Sequence, residues 1–436
     1  MRLKNCLAIC LCISLLGCQL NPNPATSPVK RTPSPASTAT THSTPEQKVQ
    51  VLYQAPELKY PEKEQKEALL DSKFLRKHNE LALKIFQKLH QQSPEKNLLF
   101  SPLLLTTALI TLYNFGSEST RQNIAKLMEI EDLDPVQINQ YLNTLNGLAY
   151  LSLPAGSAYT KEWKPTNQLE FSIWLPQNAN VNLTKVGNIP ISIYKIPSTA
   201  NGLILKPVFW LDNFSFSDFY QSSKAIFTST QTMGFHWTQY FLPEETKNKT
   251  FSVNKQKNIQ IPMMHLSEIY IEDSLYSFHE YPELKTLTAG IDWFLPGPYN
   301  TVSEKINEMS IDKLQTYTKY EGQEGCYTSF PKFKLTSEIA LIDILKILNI
   351  SEPEKFLEIS KLTAEPIQLN NIKFPLSMNV DENGGDASQP YRLPTLPPLW
   401  RGPEIFKFEV NRPFFFVGQR EQIIYLMGVV NDPSLP

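Results

Sequence analysis

The sequence predicts an α+β fold. Helical segments come first in the folded part, β-rich segments come later, and the two do not alternate in the βαβ manner. Two further observations set scale and class. With 436 residues, 41% of them hydrophobic and 11% aromatic, the chain can bury a large core. A formal net charge of −2 shows neither the basic excess of a nucleic-acid binder nor an acidic block.

Cysteine usage narrows the class further. Of 5 cysteines, only Cys326 lies beyond residue 18, so no disulfide framework and no Cys/His metal-ligand spacing is expected. Cys326 reads as a lone structural or semi-exposed thiol, and neither a metal nor another cofactor is expected. At the amino terminus Arg2 and Lys4 precede the apolar run Leu7 to Leu16, which is too short to span a bilayer as a mature helix and reads as a secretory signal. The run ends Leu15-Leu16-Gly17-Cys18, which resembles the bacterial lipobox; an ordinary signal peptide with an incidental cysteine is the alternative. The lipobox resemblance implies acylation of Cys18 and a stable lipid anchor, since each buried CH₂ contributes about 0.8 kcal/mol. Gln19 is compatible with delivery to an outer membrane. The expected location is therefore the cell envelope, at the surface of the outer membrane or in the periplasm, or outside the cell.

From Asn21 to about Gln65 the composition turns to Pro, Ser, Thr, Ala and Lys, which cannot bury enough surface to offset chain entropy. The expected organisation is a signal over 1–17, a tether over 18–66 and one folded domain over 67–436.

Within that domain, Ala82, Ile85, Phe86 and Leu89 mark one face of a helix from about Leu69 to Gln91. Ser101 as N-cap with Pro102 in the first turn opens an apolar, buried helix over Leu103 to Asn114. No Gly-flanked elbow surrounds Ser101, so it is read as a cap and not as a nucleophile. A helix follows at Thr120 to Met128, and Asp134-Pro135 opens another carrying Ile138, Tyr141, Leu142 and Leu145. Strand-like runs then appear at Leu169 to Leu175, Ala225 to Thr228, Gly234 to Trp237, Lys249 to Ile261 and Thr288 to Leu295. Thr301 to Glu304 forms a capping box before a helix through Leu314. Phe330 to Lys334 is a short strand, Ser337 to Leu348 a helix, and Pro413 to Gly418 and Ile423 to Val430 are strands around a polar turn.

One stretch organises the remainder. Val380-Asp381-Glu382-Asn383-Gly384-Gly385-Asp386-Ala387-Ser388 passes from a strand end into small residues, and a proline-studded polar segment continues to Arg401-Gly402-Pro403. Loops of this length within a domain usually have a function.

Together these landmarks resemble the serpin family. The Phe100-Ser101-Pro102 opening and the following Thr120-Arg121-x-x-Ile124 turn match its start; Trp237, Phe241, Thr246 and Phe251 match an interior spacing. Pro262-Met263-Met264 and Phe330-Pro331-Lys332-Phe333 match two interior signatures. Asn411-Arg412-Pro413-Phe414 and Met427-Gly428-Val429-Val430-Asn431 match its closing strands. The resemblance spans residues 70 to 436 and is thinnest between Tyr150 and Lys224. It implies three β-sheets, about eight helices and a long exposed reactive-centre loop that traps a protease by inserting as a new strand after cleavage. The implied hinge is Glu382, Gly384, Gly385, Asp386, Ala387 and Ser388. The candidate scissile bond is Arg401–Gly402, with Arg392–Leu393 as runner-up, either offering an arginine to a trypsin-like pocket.

The chain departs from the family pattern at several positions. Gly385 replaces a Thr, Pro390 lacks the N–H that a central strand donates, and Tyr391 is bulky where Ala is usual. Leu104 replaces a Ser and Phe374 a His beneath the implied insertion site, and Pro190 and Pro197 interrupt the stretch where a covering helix is expected. Two readings follow: a monomeric inhibitor of serine or cysteine proteases, reaching a membrane only through its lipidated terminus, or a non-inhibitory scaffold whose loop does not insert. A hydrolase is disfavoured, because no nucleophile has a paired base and His236 beside Trp237 reads as a strand residue.

Overall fold

The computed structural model describes residues 50–150, 168–195, 224–232, 235, 237, 241–266, 283–285, 291–317, 326–370, 372–385 and 406–436. The described residues open with β1 (Gln50–Tyr53), α1 (Lys63–Leu70), α2 (Lys73–Gln92), β2 (Leu98–Phe100), α3 (Pro102–Phe115), α4 (Glu118–Met128) and α5 (Pro135–Tyr150). There follow β3 (Gln168–Leu175), β4 (Ser192–Lys195), β5 (Ile226–Thr232), β6 (Lys247–Ser252), β7 (Asn258–Leu266), β8 (Glu283–Lys285) and β9 (Ile291–Phe294). Next come α6 (Val302–Glu308), α7 (Ile311–Tyr317), β10 (Cys326–Pro331), β11 (Phe333–Ala340) and α8 (Leu341–Ile347). The chain closes with β12 (Glu358–Ile359), β13 (Ile367–Gln368), β14 (Lys373–Asp381), β15 (Gly384–Gly385), β16 (Phe406–Glu409), β17 (Phe414–Arg420) and β18 (Ile423–Val430).

Local chemistry accounts for many of these boundaries. The Ser101 Oγ accepts from Leu104 N at 3.2 Å, and Pro102 starts α3, whose residues are buried almost throughout. Thr301 Oγ1 accepts from Glu304 N while Glu304 Oε2 accepts from Thr301 N, completing the predicted capping box of α6. The helix predicted from Leu69 is broken at Ser72, which caps α2 by accepting from Leu75 N. Likewise the helix predicted through Leu314 divides at Met309-Ser310 into α6 and α7. Between β17 and β18 the chain reverses through Glu421 and Gln422, whose φ angles of 47° and 68° suit a two-residue hairpin turn.

Two expectations are corrected. Ser337 to Ala340 are strand, not helix: β11 pairs with β14 from Phe333↔Val380 to Ala340↔Lys373, and that ladder takes the backbone groups a helix would have used. The folded body also starts before residue 67. β1 pairs antiparallel with β4, Ala55 N donates to Ser192 Oγ at 3.0 Å, and α1 begins at Lys63, so residues 50–66 are not tether. Pro190 is buried just ahead of β4, whereas Pro197 lies outside the described residues.

Among the described residues the strands form five hydrogen-bonded groups. The ladders β1-β4-β3-β5 and β11-β14-β15 lie side by side, β5 next to β14, and are taken together as the largest sheet. A second has the order β16-β10-β7-β6 and a third β2-β18-β17-β9-β8; β12 and β13 pair alone. Helices α2, α3 and α5 pack on β18, so the core lies between them and the sheets. An aromatic cluster of Phe235, Trp237, Trp293, Phe330 and Phe414 fills the region where the sheets meet.

Candidate functional site

Strand β14 alternates along its length. Phe374, Leu376, Met378 and Val380 are buried, while Lys373, Ser377 and Asn379 are exposed. The strand stops at Asp381, where Glu382 and Asn383 form a tight turn. Asn383 N donates to Asp381 Oδ1 at 2.8 Å, and Gly384 takes a φ of 130° that other residues rarely adopt. The chain then returns antiparallel as β15, with Asp381↔Gly384 and Val380↔Gly385. On its far side Gly385 N donates to Phe235 O at 3.0 Å and Phe235 N donates to Gly385 O at 3.1 Å. Gly384 and Gly385 are thus two residues of a strand held between the halves of the largest sheet.

Below this point β5 and β14 run side by side without forming a ladder. Among the described residues, backbone bridges join the two sides at Phe235–Gly385 and at Ala225–Leu369, where Ala225 N donates to Gln368 O and Asn370 N donates to Ala225 O. Leu104 and Phe374, the two apolar departures noted above, are both fully buried in the core.

A polar clamp secures the turn. Glu382 is 7% exposed and accepts from Thr246 Oγ1 and from Lys332 Nζ, each at 2.7 Å. Burial alone would push its pKa up, yet the bonds from Lys332 and Thr246 hold it below the usual carboxylate range. Trp237 Nε1 donates to Asp381 O at 2.7 Å, anchoring the strand end to the aromatic cluster.

The glycine that departs from the hinge pattern has a local explanation. A Cβ on Gly385 would stand 2.0 Å from Phe235 Cε1, so any side chain there collides with a ring that is itself fully buried.

Of the residues singled out from sequence, Glu382, Gly384 and Gly385 come together here. Asp386, Ala387, Ser388, Pro390, Tyr391, Arg392, Leu393, Arg401 and Gly402 lie outside the described residues, as do Cys18 and His236. The expected scissile bonds and lipid site therefore have no geometry to report. Sequence reasoning assigned no role to Lys332, Thr246, Phe235 or Trp237. The signal was present, because Trp237, Thr246 and Lys332 all stand inside motifs that drew attention. Ser101 is a cap whose hydroxyl donates to Gln231 Oε1. Among the described residues no group of three or more His, Cys, Asp or Glu could hold a metal ion.

Comparison with known proteins adds the family context. A family model described as "Serpin (serine protease inhibitor)" matches residues 76–183 and 213–433. Serine protease inhibitor A3L of Rattus norvegicus is 23% identical over 382 residues, covering 82% of this chain and 88% of the rat protein. Neuroserpin of Homo sapiens is 23% identical over 391 residues, covering 81% and 90%. Among solved structures, human glycosylated kallistatin superposes with a TM-score of 0.64 at 15% identity, covering 84% of this chain and 99% of kallistatin. The thermophilic serpin tengpin in its native state also scores 0.64, at 16% identity, covering 88% and 100%.

Proposed function

Because this chain belongs to the serpin family, we propose that it inhibits a serine-type endopeptidase by offering the segment that follows Gly385 as bait and then drawing it into the largest sheet. One observation carries this reading. The hinge already occupies the first position of a new strand, bonded to Phe235 on one side and paired with β14 on the other, at the mouth of a seam across which the described residues of β5 and β14 share no ladder with each other. Extending that strand would convert unladdered edges of β5 and β14 into two ladders, which supplies the driving force for a trap.

Arg401–Gly402 is the proposed scissile bond and Arg392–Leu393 the runner-up, so the partner is a protease whose pocket receives arginine. The protein acts as a monomer, as bait and trap and not as an enzyme. Cys18 within Leu15-Leu16-Gly17-Cys18 would carry the lipid, and the Pro/Ser/Thr-rich segment after it would hold the inhibitor off the surface of the cell envelope.

Incubating the purified protein with a panel of trypsin-like proteases is expected to yield a covalent complex that survives SDS, and Arg401→Ala is expected to abolish it. Cleavage of the loop without any complex would refute the inhibitory reading. The buried Leu104 and Phe374 beneath the seam suit the second reading, a non-inhibitory scaffold whose sheet stays shut. That reading requires the melting temperature to stay unchanged after loop cleavage.

A further inference from the structure

The first strand plugs the outer edge of the largest sheet. β4 pairs with β3 on one side, and on the other it is β1 that satisfies its backbone groups. Ser192, 5% exposed, turns its hydroxyl to the same segment and accepts from Ala55 N at 3.0 Å and from Gln54 Nε2 at 3.2 Å. Tyr194 stands opposite Val51 and stacks on Trp174 with 4.5 Å between centroids, which stiffens the edge from behind. Leu52 and Tyr53 pack against the core. What fits this edge is therefore on view. It is an extended, uncharged run followed by an amide side chain, as in Gln50-Val51-Leu52-Tyr53-Gln54-Ala55.

The plug is lightly held and separately hinged. β1 is four residues long, and its register slips between Val51 and Tyr53. α1 is fastened apart from it: Glu62 and Gln65 form its capping box, Leu69 is fully buried, and Lys66 Nζ donates to Glu421 Oε1 at 2.6 Å. The strap between them crosses α5 at Gly147, where a Cβ would stand 2.4 Å from Lys59 O. That close crossing leaves Pro56-Glu57-Leu58 as the hinge, and Pro56 holds it extended. β1 can thus leave its edge while α1 stays in place. Any pull transmitted from the chain ahead of Gln50 also reaches β1 first.

We infer that the outer edge of β4 docks residues 50–55 of a second copy of this chain, so that two copies exchange their first strands. The exchanged pair repeats the contacts of the closed molecule, because the two segments are identical, and the segment carries no charge to repel its twin. A hinge as short as Pro56-Glu57-Leu58 favours exchange over closure. Chain closure opposes it, since a short linker holds the molecule's own segment near its edge at an effective concentration of roughly 1 mM. In dilute solution the plug therefore stays in its own molecule, and the protein is a monomer. Where copies crowd toward that concentration, as on a membrane surface, exchange links neighbours through the first strand. This inference stands apart from the inhibitory reading, because it uses neither the hinge at Gly385 nor the seam.

The test uses the full chain carrying Val51→Cys, Tyr194→Cys or both. In the double variant, oxidation is expected to join positions 51 and 194 within one chain; absence of that link overturns the register and the inference with it. When the two single variants are mixed, a disulfide between position 51 of one chain and 194 of the other is expected, identified by mass spectrometry. Its yield is expected to rise with protein concentration up to about 1 mM. Deleting Glu57 and Leu58 leaves the plug too short to reach its own edge, and is expected to convert the monomer into a dimer at micromolar concentration, read by gel filtration. A mixture that forms no 51–194 link between chains overturns the inference. So do 51–51 links in place of 51–194 links, which would mean that closed molecules meet edge to edge. A shortened chain that folds as a monomer excludes exchange, and if that chain fails to fold, the mixed single variants still decide.

Discussion

Replacing Gly385 by alanine places a methyl group inside the ring of Phe235. The added Cβ would lie 2.0 Å from Cε1, 2.6 Å from Cδ1 and 2.7 Å from Cζ, whereas carbon atoms rest at about 3.5–4.0 Å. The ring cannot simply step aside. Phe235 is fully buried, with Trp237 edge-on at 5.5 Å and Trp293 at 6.0 Å between centroids. Displacing it into that cluster costs about 1–3 kcal/mol as overpacking. If Gly385 withdraws instead, its two hydrogen bonds to Phe235 are lost at about 1 kcal/mol each. Either route gives a loss near 2 kcal/mol. Because only Gly384, and not Gly385, has a positive φ, backbone strain does not confuse the outcome. Urea unfolding followed by tryptophan fluorescence reads the change, and Phe235→Leu combined with Gly385→Ala is expected to restore part of it by making room. A Gly385→Ala variant as stable as the parent would show that the hinge does not occupy the sheet mouth.

Other consequences follow from the same packing. Glu382→Gln removes the charge that Lys332 and Thr246 hold, and is expected to cost about 1–3 kcal/mol and to speed proteolysis within the hinge; unchanged protease susceptibility would show that the clamp does not restrain the turn. His78 is fully buried between Thr106 Oγ1 and Ile424 O, and burial lowers its pKa to about 4. Between the ordinary value near 6.5 and that value the unfolded chain holds a proton that the folded chain refuses. The resulting stability is fully present above about pH 6.5 and is lost as pH falls toward 4, by about 3 kcal/mol in total. His78→Gln is expected to flatten that part of a stability–pH curve, and a curve that stays as steep would exclude His78 as its source. Ser192→Ala strips the acceptor shared by Ala55 N and Gln54 Nε2, and is expected to release β1 from the sheet edge, seen as faster amide exchange at residues 50–55.

How far the sequence reached depended on distance along the chain. The Ser101-Pro102 and Thr301–Glu304 starts were legible because a cap and its target lie within one helical turn. The stretch Val380 to Ser388 stood out because a strand end passes into small residues, and its reading as a hinge came from the serpin resemblance. Over Ser337 to Ala340 the reasoning failed, since Ile339, Ile342 and Leu345 suit a helix locally and only the ladder with β14 makes the first of them strand. Residues 50–66 failed for a related reason: a strand as short as β1 has no signature of its own and exists because β4 offers an unpaired edge.

By itself the sequence determined the α+β class, the serpin landmarks and the helix starts, all of which rest on patterns among near neighbours. Only the tertiary structure decided that Lys332 and Thr246 grip Glu382, that Phe235 demands glycine at 385, and that Gln231 accepts from the Ser101 hydroxyl beneath the sheet. Those partners stand far apart along the chain. No local pattern encodes their meeting, because it is the pairing of whole strands that carries one side chain to another.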